Sequence, residues 1–285
     1  MTIPNQTFLT VKDHSVSGEV FELRHDTELD LLVTHPQPSA EALPKYYESD
    51  DYISHTDGKR SLFEKAYHFV KDIALKNKLD LIASLQPGKG RLLDIGAGTG
   101  DFLNAAKQAG WHSTGIEPSE KARAIAERKG VTFVTDLGQL EDHSFDVITM
   151  WHVLEHVPNL EHQIAELKRL LKPTGTILVA VPNFRSHDAK HYGAFWAAYD
   201  VPRHLWHFSK TAIEKLFATQ DLKLADVLPM KFDAFYVSLL SEKYKAGKMN
   251  FVGAVITGLR SNWKARRTKQ YSSHIYVLKN TRKSN

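Results

Sequence analysis

Leu92-Leu93-Asp94-Ile95-Gly96-Ala97-Gly98-Thr99-Gly100 reads as an apolar strand running into a turn with glycine at every second position, followed by the helical run Asp101 to Gln108. Glycine in such a turn lets the backbone approach a ligand closely. The unpaired N–H groups of the helix start favour an anionic group beside them. Glycine turns alone serve many purposes, so the next strand matters. It runs from Trp111 to Glu117 and ends on a carboxylate 21 positions after Gly96 (117 − 96 = 21). A carboxylate there accepts hydrogen bonds from both hydroxyls of a ribose. The dinucleotide fingerprint G-x-G-x-x-G would place glycine at position 101. Asp101 stands there instead, where a pyrophosphate would meet a carboxylate.

Outward from this segment, strands and helices alternate, as in a parallel sheet covered on both faces. The expected strands after Arg91 to Ile95 and Trp111 to Glu117 are Val131 to Val134, Phe145 to Met150, the β-branched run Gly175 to Val181, Leu222 to Leu228 and His274 to Leu278. Ser119, Asn159 and Ser209 each precede an amphipathic run and are expected to cap it. Helical material is expected from Phe232 to Leu259. Upstream, Lys59 to Leu85 has helical spacing with Asn77 as a candidate break, and Val16 to Val33 suggests a short hairpin or two. The fold expected is α/β and Rossmann-like: a seven-stranded, mostly parallel sheet with helices on both faces, plus a small N-terminal β-containing extension. The extension would be residues 1–58 and the main domain 59–285. Pro182 to Phe208 is a loop of about 25 residues rich in aromatics and histidine, a length usual for functional loops.

The chain of 285 residues has no cysteine, which excludes disulfides, thiolate zinc sites and thiol nucleophiles. Its formal charge is +4, but residues 242–285 hold 11 Lys/Arg against one acid, Glu242. Such a basic region is more often a solvated surface than a binding face. Without a long uncharged apolar run, no membrane span is expected, and the expected location is the cytoplasm.

The glycine segment and the acidic end of the next strand resemble the first two motifs of class I S-adenosylmethionine-dependent methyltransferases. Phe145-Asp146-Val147-Ile148, Leu154-Glu155-His156-Val157-Pro158 and Leu171-Lys172-Pro173-Thr174-Gly175-Thr176 resemble later motifs of that family, in order. The resemblance covers roughly Lys59 to Leu228 and is greatest to small-molecule methyltransferases of the ubiquinone-biosynthesis type and unassigned bacterial relatives. It implies S-adenosylmethionine as cofactor. Gly96, Ala97, Gly98 and Gly100 would line its methionine part, Asp94 would support the loop, and Glu117 would bind the ribose with Pro118 beside it. Asp136 and Leu137 would meet the adenine, and Trp151 would complete the cofactor set.

Methyl transfer from a sulfonium needs alignment and a deprotonated nucleophile. The acceptor should lie over the carboxyl ends of the fourth and fifth strands. Candidates for catalysis are His152, His156, Arg203 and His204. His152, Glu155 and His156 are spaced i, i+3, i+4 and would share one face of a helix. Arg203 could clamp a carboxylate and His204 accept a proton. Alternatively, the 199–208 segment is a helix lead-in whose aromatics pack and whose histidines bond to backbone. Related methyltransferases with a Glu-x-x-Glu-His pattern and a later histidine hold a divalent ion. Here His152 replaces the first Glu, His207 would be the later histidine, and no metal is expected. Tyr46 to His55 is expected to act as a lid, and Val11 to Thr34 resembles a zinc ribbon stripped of its cysteines. The expected function is methylation of a small-molecule acceptor, O-transfer slightly favoured, with no nucleic-acid partner expected. An RNA-directed methyltransferase and a catalytically silent cofactor-binding protein are the alternatives.

Overall fold

The computed structural model describes residues 4–39, 41–47 and 62–281, with side chains in the first helix from residue 72 onward. Three N-terminal strands, β1 (Thr7–Lys12), β2 (Val20–Asp26) and β3 (Leu31–His35), form antiparallel pairs in order. β2 and β3 are the hairpin expected from the alternation after Val16, whereas β1 lies outside that pattern. Helix α1 (Leu62–Leu85) follows and runs unbroken through Asn77, which corrects the expected break there. One asparagine costs a helix only a few tenths of a kcal/mol, about 0.7 at most, and the Leu75, Leu79 and Ile82 face packs on the core.

Strands and helices then alternate as expected: β4 (Arg91–Ile95), α2 (Asp101–Gln108), β5 (His112–Ile116), α3 (Glu120–Glu127), β6 (Thr132–Phe133), β7 (Phe145–Trp151), α4 (Leu160–Leu170) and β8 (Leu171–Pro182). Then come α5 (His187–Tyr192), β9 (Trp206–His207), α6 (Lys210–Ala218), β10 (Leu222–Pro229), α7 (Asp233–Ala246), α8 (Phe251–Thr268) and β11 (Ser273–Asn280). The large sheet has seven strands in the order β10-β11-β8-β7-β4-β5-β6. β4 to β8 run parallel, and β11 lies antiparallel between β10 and β8.

Period-two alternation puts successive side chains on opposite faces. Leu93, Ile148 and Ile177 face one core with Leu160, Ile164 and Leu167 of α4. Leu92, Val147 and Leu178 face the other with Ile82 of α1 and Leu103 of α2. Both faces are therefore covered, which explains why these strands read as continuous apolar runs. The expected caps are in place: Ser119 Oγ accepts from Ala122 N at 3.3 Å, Asn159 Oδ1 from His162 N at 3.1 Å, and Ser209 Oγ from Ala212 N at 3.0 Å.

The stretch read as a 25-residue loop is folded. It holds α5, 3-10 turns at Gly193–Phe195 and Ala197–Tyr199, and β9, with Trp196, Tyr199 and Phe208 buried. β9 pairs with β3, Leu32 opposite His207 and Val33 opposite Trp206, so a small four-stranded sheet takes its last strand from a segment far along the chain, after β8.

Candidate functional site

Gly96 has φ +73°, and a Cβ there would lie 2.3 Å from Val153 Cγ2. Gly100, with φ +74°, would place one 2.6 Å from the Ala126 Cβ. Both positions exclude larger residues by conformation and by space. The turn is fixed by Gly96 N and Ala97 N, which donate to Ile116 O at 2.8 and 3.0 Å. Gly100, the residue before α2, has no side chain to cap the helix, and a helix start favours an anionic group beside it. Asp101 pairs with Lys129 Nζ at 2.6 Å.

Glu117 binds the loop as well as facing it. Its Oε2 accepts from Gly98 N at 2.8 Å and its Oε1 from Ser119 N at 2.9 Å. A carboxylate has about four acceptor positions, so two remain for hydroxyl donors. Pro118 follows, its carbonyl accepting from Arg123 at 2.9 Å. Asp136 Oδ1 accepts from Gly138 N at 2.6 Å, and Leu137 O from Arg169 at 2.9 Å. Asp94 is buried beneath the loop, where Thr149 Oγ1 donates to it at 2.6 Å. Burial pushes its carboxyl up to about 7, against the Thr149 hydrogen bond and the nearby Lys78 charge.

Trp151, at the end of β7, meets Phe102 edge-to-face at 5.7 Å. Its buried indole N–H has no hydrogen-bond partner among the described residues. The Lys78 ammonium lies 4.4 Å from the Trp151 ring centre. Burial lowers the Lys78 pKa while Asp94 and Asp233 pull it back up. Lys78 was not among the sequence candidates, because one lysine on a helix carries no sign of what stands opposite. The glycine cradle before α2, the acceptor positions left on Glu117 and the orphaned indole donor together fit S-adenosylmethionine.

The segment after β7 is a 3-10 turn, Leu154–His156, and His152 sits in the left-handed region at φ +58°. The expected shared helical face of His152, Glu155 and His156 is thus corrected. His152 faces Glu155 Oε1 through Nδ1 at 3.3 Å and Asp233 Oδ2 through Nε2 at 3.2 Å. Burial draws its pKa down, but the two carboxylates more than offset that and push it up to about 10. With a carboxylate facing each ring nitrogen, His152 has no nitrogen turned to a substrate, so the structure does not support it as a base.

His156, Glu155 and His204 converge instead. The two rings meet edge-to-face at 4.5 Å, and one ligand atom from each of the three lies within 4.8 Å of the others. His156 Nδ1 lies 3.0 Å from Arg203 O and 3.1 Å from Tyr47 Oη. His204 Nδ1 lies 2.9 Å from Ala198 O. A carbonyl only accepts, so both rings carry a proton on Nδ1 and turn Nε2 away from it; His204 Nε2 lies 4.0 Å from Asp200 Oδ2. Burial, then the neighbouring His204, lowers His156 to about 4. Burial pushes the Glu155 carboxyl up, but the His152 hydrogen bond and the nearby imidazoles bring it below its usual value. Its Oε2 is buried with no hydrogen-bond partner among the described residues. His207 is not in this group: its Nε2 meets Thr34 Oγ1 at 3.0 Å.

Arg203 is corrected as well. Its guanidinium bonds Asp200, Asp13, Ser15 and the carbonyl of Tyr46, leaving no donor for a substrate carboxylate. It fastens Asp13, just after the end of β1, to Asp200 in the segment before β9. Of the expected lid, Tyr46 and Tyr47 are described, in a 3-10 turn at Leu43–Tyr47, and residues 48–55 lie outside the described residues.

Residues 66–227 match the methyltransferase-domain family. The chain belongs to that family, and its sheet order and cofactor loop are those of a class I S-adenosylmethionine-dependent methyltransferase. Over 194 residues it is 29% identical to a ubiquinone biosynthesis O-methyltransferase of Actinobacillus pleuropneumoniae, spanning 61% of this chain and 82% of that one. A second enzyme so named, from Hahella chejuensis, is 28% identical over 56% of this chain and 72% of its own. Among solved structures, a methyltransferase of Thermotoga maritima, described as a possible histamine N-methyltransferase, superimposes with a TM-score of 0.53. It is 20% identical, covering 77% of this chain and 95% of its own. Among the described residues no helix is long and apolar enough to cross a membrane.

Proposed function

We propose that this enzyme methylates a hydroxyl of a small-molecule acceptor, with His204 as the general base. The observation that carries this reading is the pairing of His204 Nδ1 with the Ala198 carbonyl, which leaves Nε2, 4.0 Å from Asp200 Oδ2, as the nitrogen that can exchange a proton, in a buried cluster with His156 and Glu155. When bound, S-adenosylmethionine supplies a methyl carbon on a sulfonium that departs as a neutral thioether, so little covalent help is needed. The glycine turn at Gly96, Ala97, Gly98 and Gly100 holds the methionine arm close to backbone, and Glu117 grips the ribose with its two remaining acceptor positions. Asp136 and Leu137 border the adenine, and the Trp151 indole donates to the cofactor. His204 Nε2 takes the hydroxyl proton, and ionised Glu155 steadies the imidazolium that results. The O-methyltransferases to which the chain is similar favour an oxygen acceptor.

His204→Ala should lower kcat by about 100-fold or more on a hydroxylated acceptor found by following S-adenosylhomocysteine release across phenols, catechols and amines. Calorimetric affinity for S-adenosylmethionine should stay as in the parent. Full turnover by the variant removes His204 as base.

A second reading rests on the buried Glu155 Oε2 that lacks a donor. Two imidazole lone pairs and a carboxylate form a donor set that suits zinc, manganese or iron. In that case Glu155, His156 and His204 hold a divalent cation in place of the set with His152 and His207. A chelator would then abolish activity and manganese would restore it, whereas the base reading expects activity unchanged by chelation.

A further inference from the structure

Helices α7 and α8 form an antiparallel pair inserted between β10 and β11, and α8 packs inside out. Its buried face is small or hydroxylated: Ala254, Thr257, Gly258, Ser261 and Ala265. A Cβ on Gly258 would lie 2.6 Å from the Phe235 ring, so the helices approach closely. A surface helix ordinarily turns its large apolar stripe inward. Here Val252, Val255, Ile256, Leu259 and Trp263, spaced i, i+3, i+4, i+7 and i+11, form a single stripe on the solvent side. Val252 is 70% and Trp263 64% exposed. Phe251 continues it, and Phe232 and Tyr236 at the start of α7 are also exposed. Arg260, Lys264 and Arg267 border the stripe and are exposed.

We propose that this face docks on an anionic phospholipid bilayer, with α8 lying in the headgroup plane. Aliphatics and a tryptophan on one side with cations along the edge is the composition of a helix that lies on a membrane, and the residues after Glu242 include no acid to oppose a negative surface. A second copy of the chain fits less well, since apposed stripes would bring both sets of arginine and lysine together. Nucleic acid fits less well too, because an aliphatic stripe has nothing to meet on a phosphate backbone. The docked face is close to the acceptor side: Phe232 is exposed, and the next residue, Asp233, bonds His152. Docking does not depend on which acceptor is methylated.

The test is co-flotation of the full chain with vesicles of phosphatidylcholine alone or mixed with phosphatidylglycerol. Binding is expected to the anionic vesicles and to weaken with salt. It should fall by about tenfold or more in Val252→Ser/Leu259→Ser/Trp263→Ser, and likewise in Arg260→Gln/Lys264→Gln/Arg267→Gln. Because the substituted side chains are exposed, S-adenosylmethionine affinity serves as the check that each variant is folded. The proposal is overturned if the parent ignores anionic vesicles or if the apolar variant floats as well as the parent. A salt-sensitive RNA complex without lipid binding, or a dimer in sedimentation that only the apolar variant loses, also overturns it.

Discussion

Replacing Arg203 with methionine should destabilise the protein without touching the acceptor, and the size of the loss follows from what the guanidinium holds. Its side chain is 5% exposed and its partner Asp13 is 0% exposed. Removing one member of a buried ion pair costs about 3–5 kcal/mol, because the other charge is left without compensation. Two features place Arg203 at the lower end, near 3 kcal/mol. Asp200 is 27% exposed and can be partly rehydrated, and Asp13 keeps hydrogen bonds from Ser15, Val16 and Ser17. The effect should depend on pH. Burial pushes the Asp13 carboxyl up, but the Arg203 hydrogen bond and charge, with the backbone N–H groups of Ser17 and Ser15, hold it well below the usual range. A carboxylate depressed in the folded state adds stability above its unfolded pKa of about 4 and loses it as pH falls through the folded value. The gap between parent and variant should therefore be widest near neutral pH and narrow on acidification. Urea unfolding followed by circular dichroism at several pH values measures this, and adding Asp13→Asn should recover part of the loss by removing the stranded charge. A loss under about 1 kcal/mol accompanied by a large rise in acceptor KM would refute the reasoning and put the guanidinium on substrate.

Two further outcomes follow from the cofactor side. Gly96→Ala should cost about 2–4 kcal/mol, from the left-handed backbone and the collision with Val153, and should weaken cofactor binding in calorimetry. Val153→Ala in the same chain should return about 1 kcal/mol or more through coupling, so a strictly additive double variant would contradict the contact. At Asp94 the folded pKa is raised to about 7, so its contribution is fully present below the unfolded value and disappears as pH rises through about 7. Asp94→Asn keeps an acceptor for Thr149 and should flatten this dependence, gaining about 2–4 kcal/mol on the parent between acid and mildly alkaline pH. The lower figure is favoured because Lys78 loses a counter-charge. Parallel stability profiles for the two proteins would count against the raised pKa.

The main sheet was legible because its signals are local. Leu92 to Gly100, the Ser119, Asn159 and Ser209 caps and the β-branched run before Pro182 each carry their meaning within about one turn or strand of sequence. The site was legible only in part. The spacing of His152, Glu155 and His156 has helical meaning only if the backbone is helical, and the left-handed His152 followed by a 3-10 turn breaks that premise. Arg203 looked like a substrate clamp because its partner Asp13 lies 190 positions away. β9 is two residues long, too short to give a periodic signal, and its strand identity comes from pairing with β3.

That pairing bears on how the chain matures. β1 to β3 are translated well before residues 203–207, yet their sheet lacks its closing strand, and Asp13 its counter-ion, until those residues have been made. The opening segment must wait half-assembled through the synthesis of most of the central sheet. These early strands are thus among the last to set, and a ribosome paused before residue 203 should carry β1 to β3 still open to proteolysis.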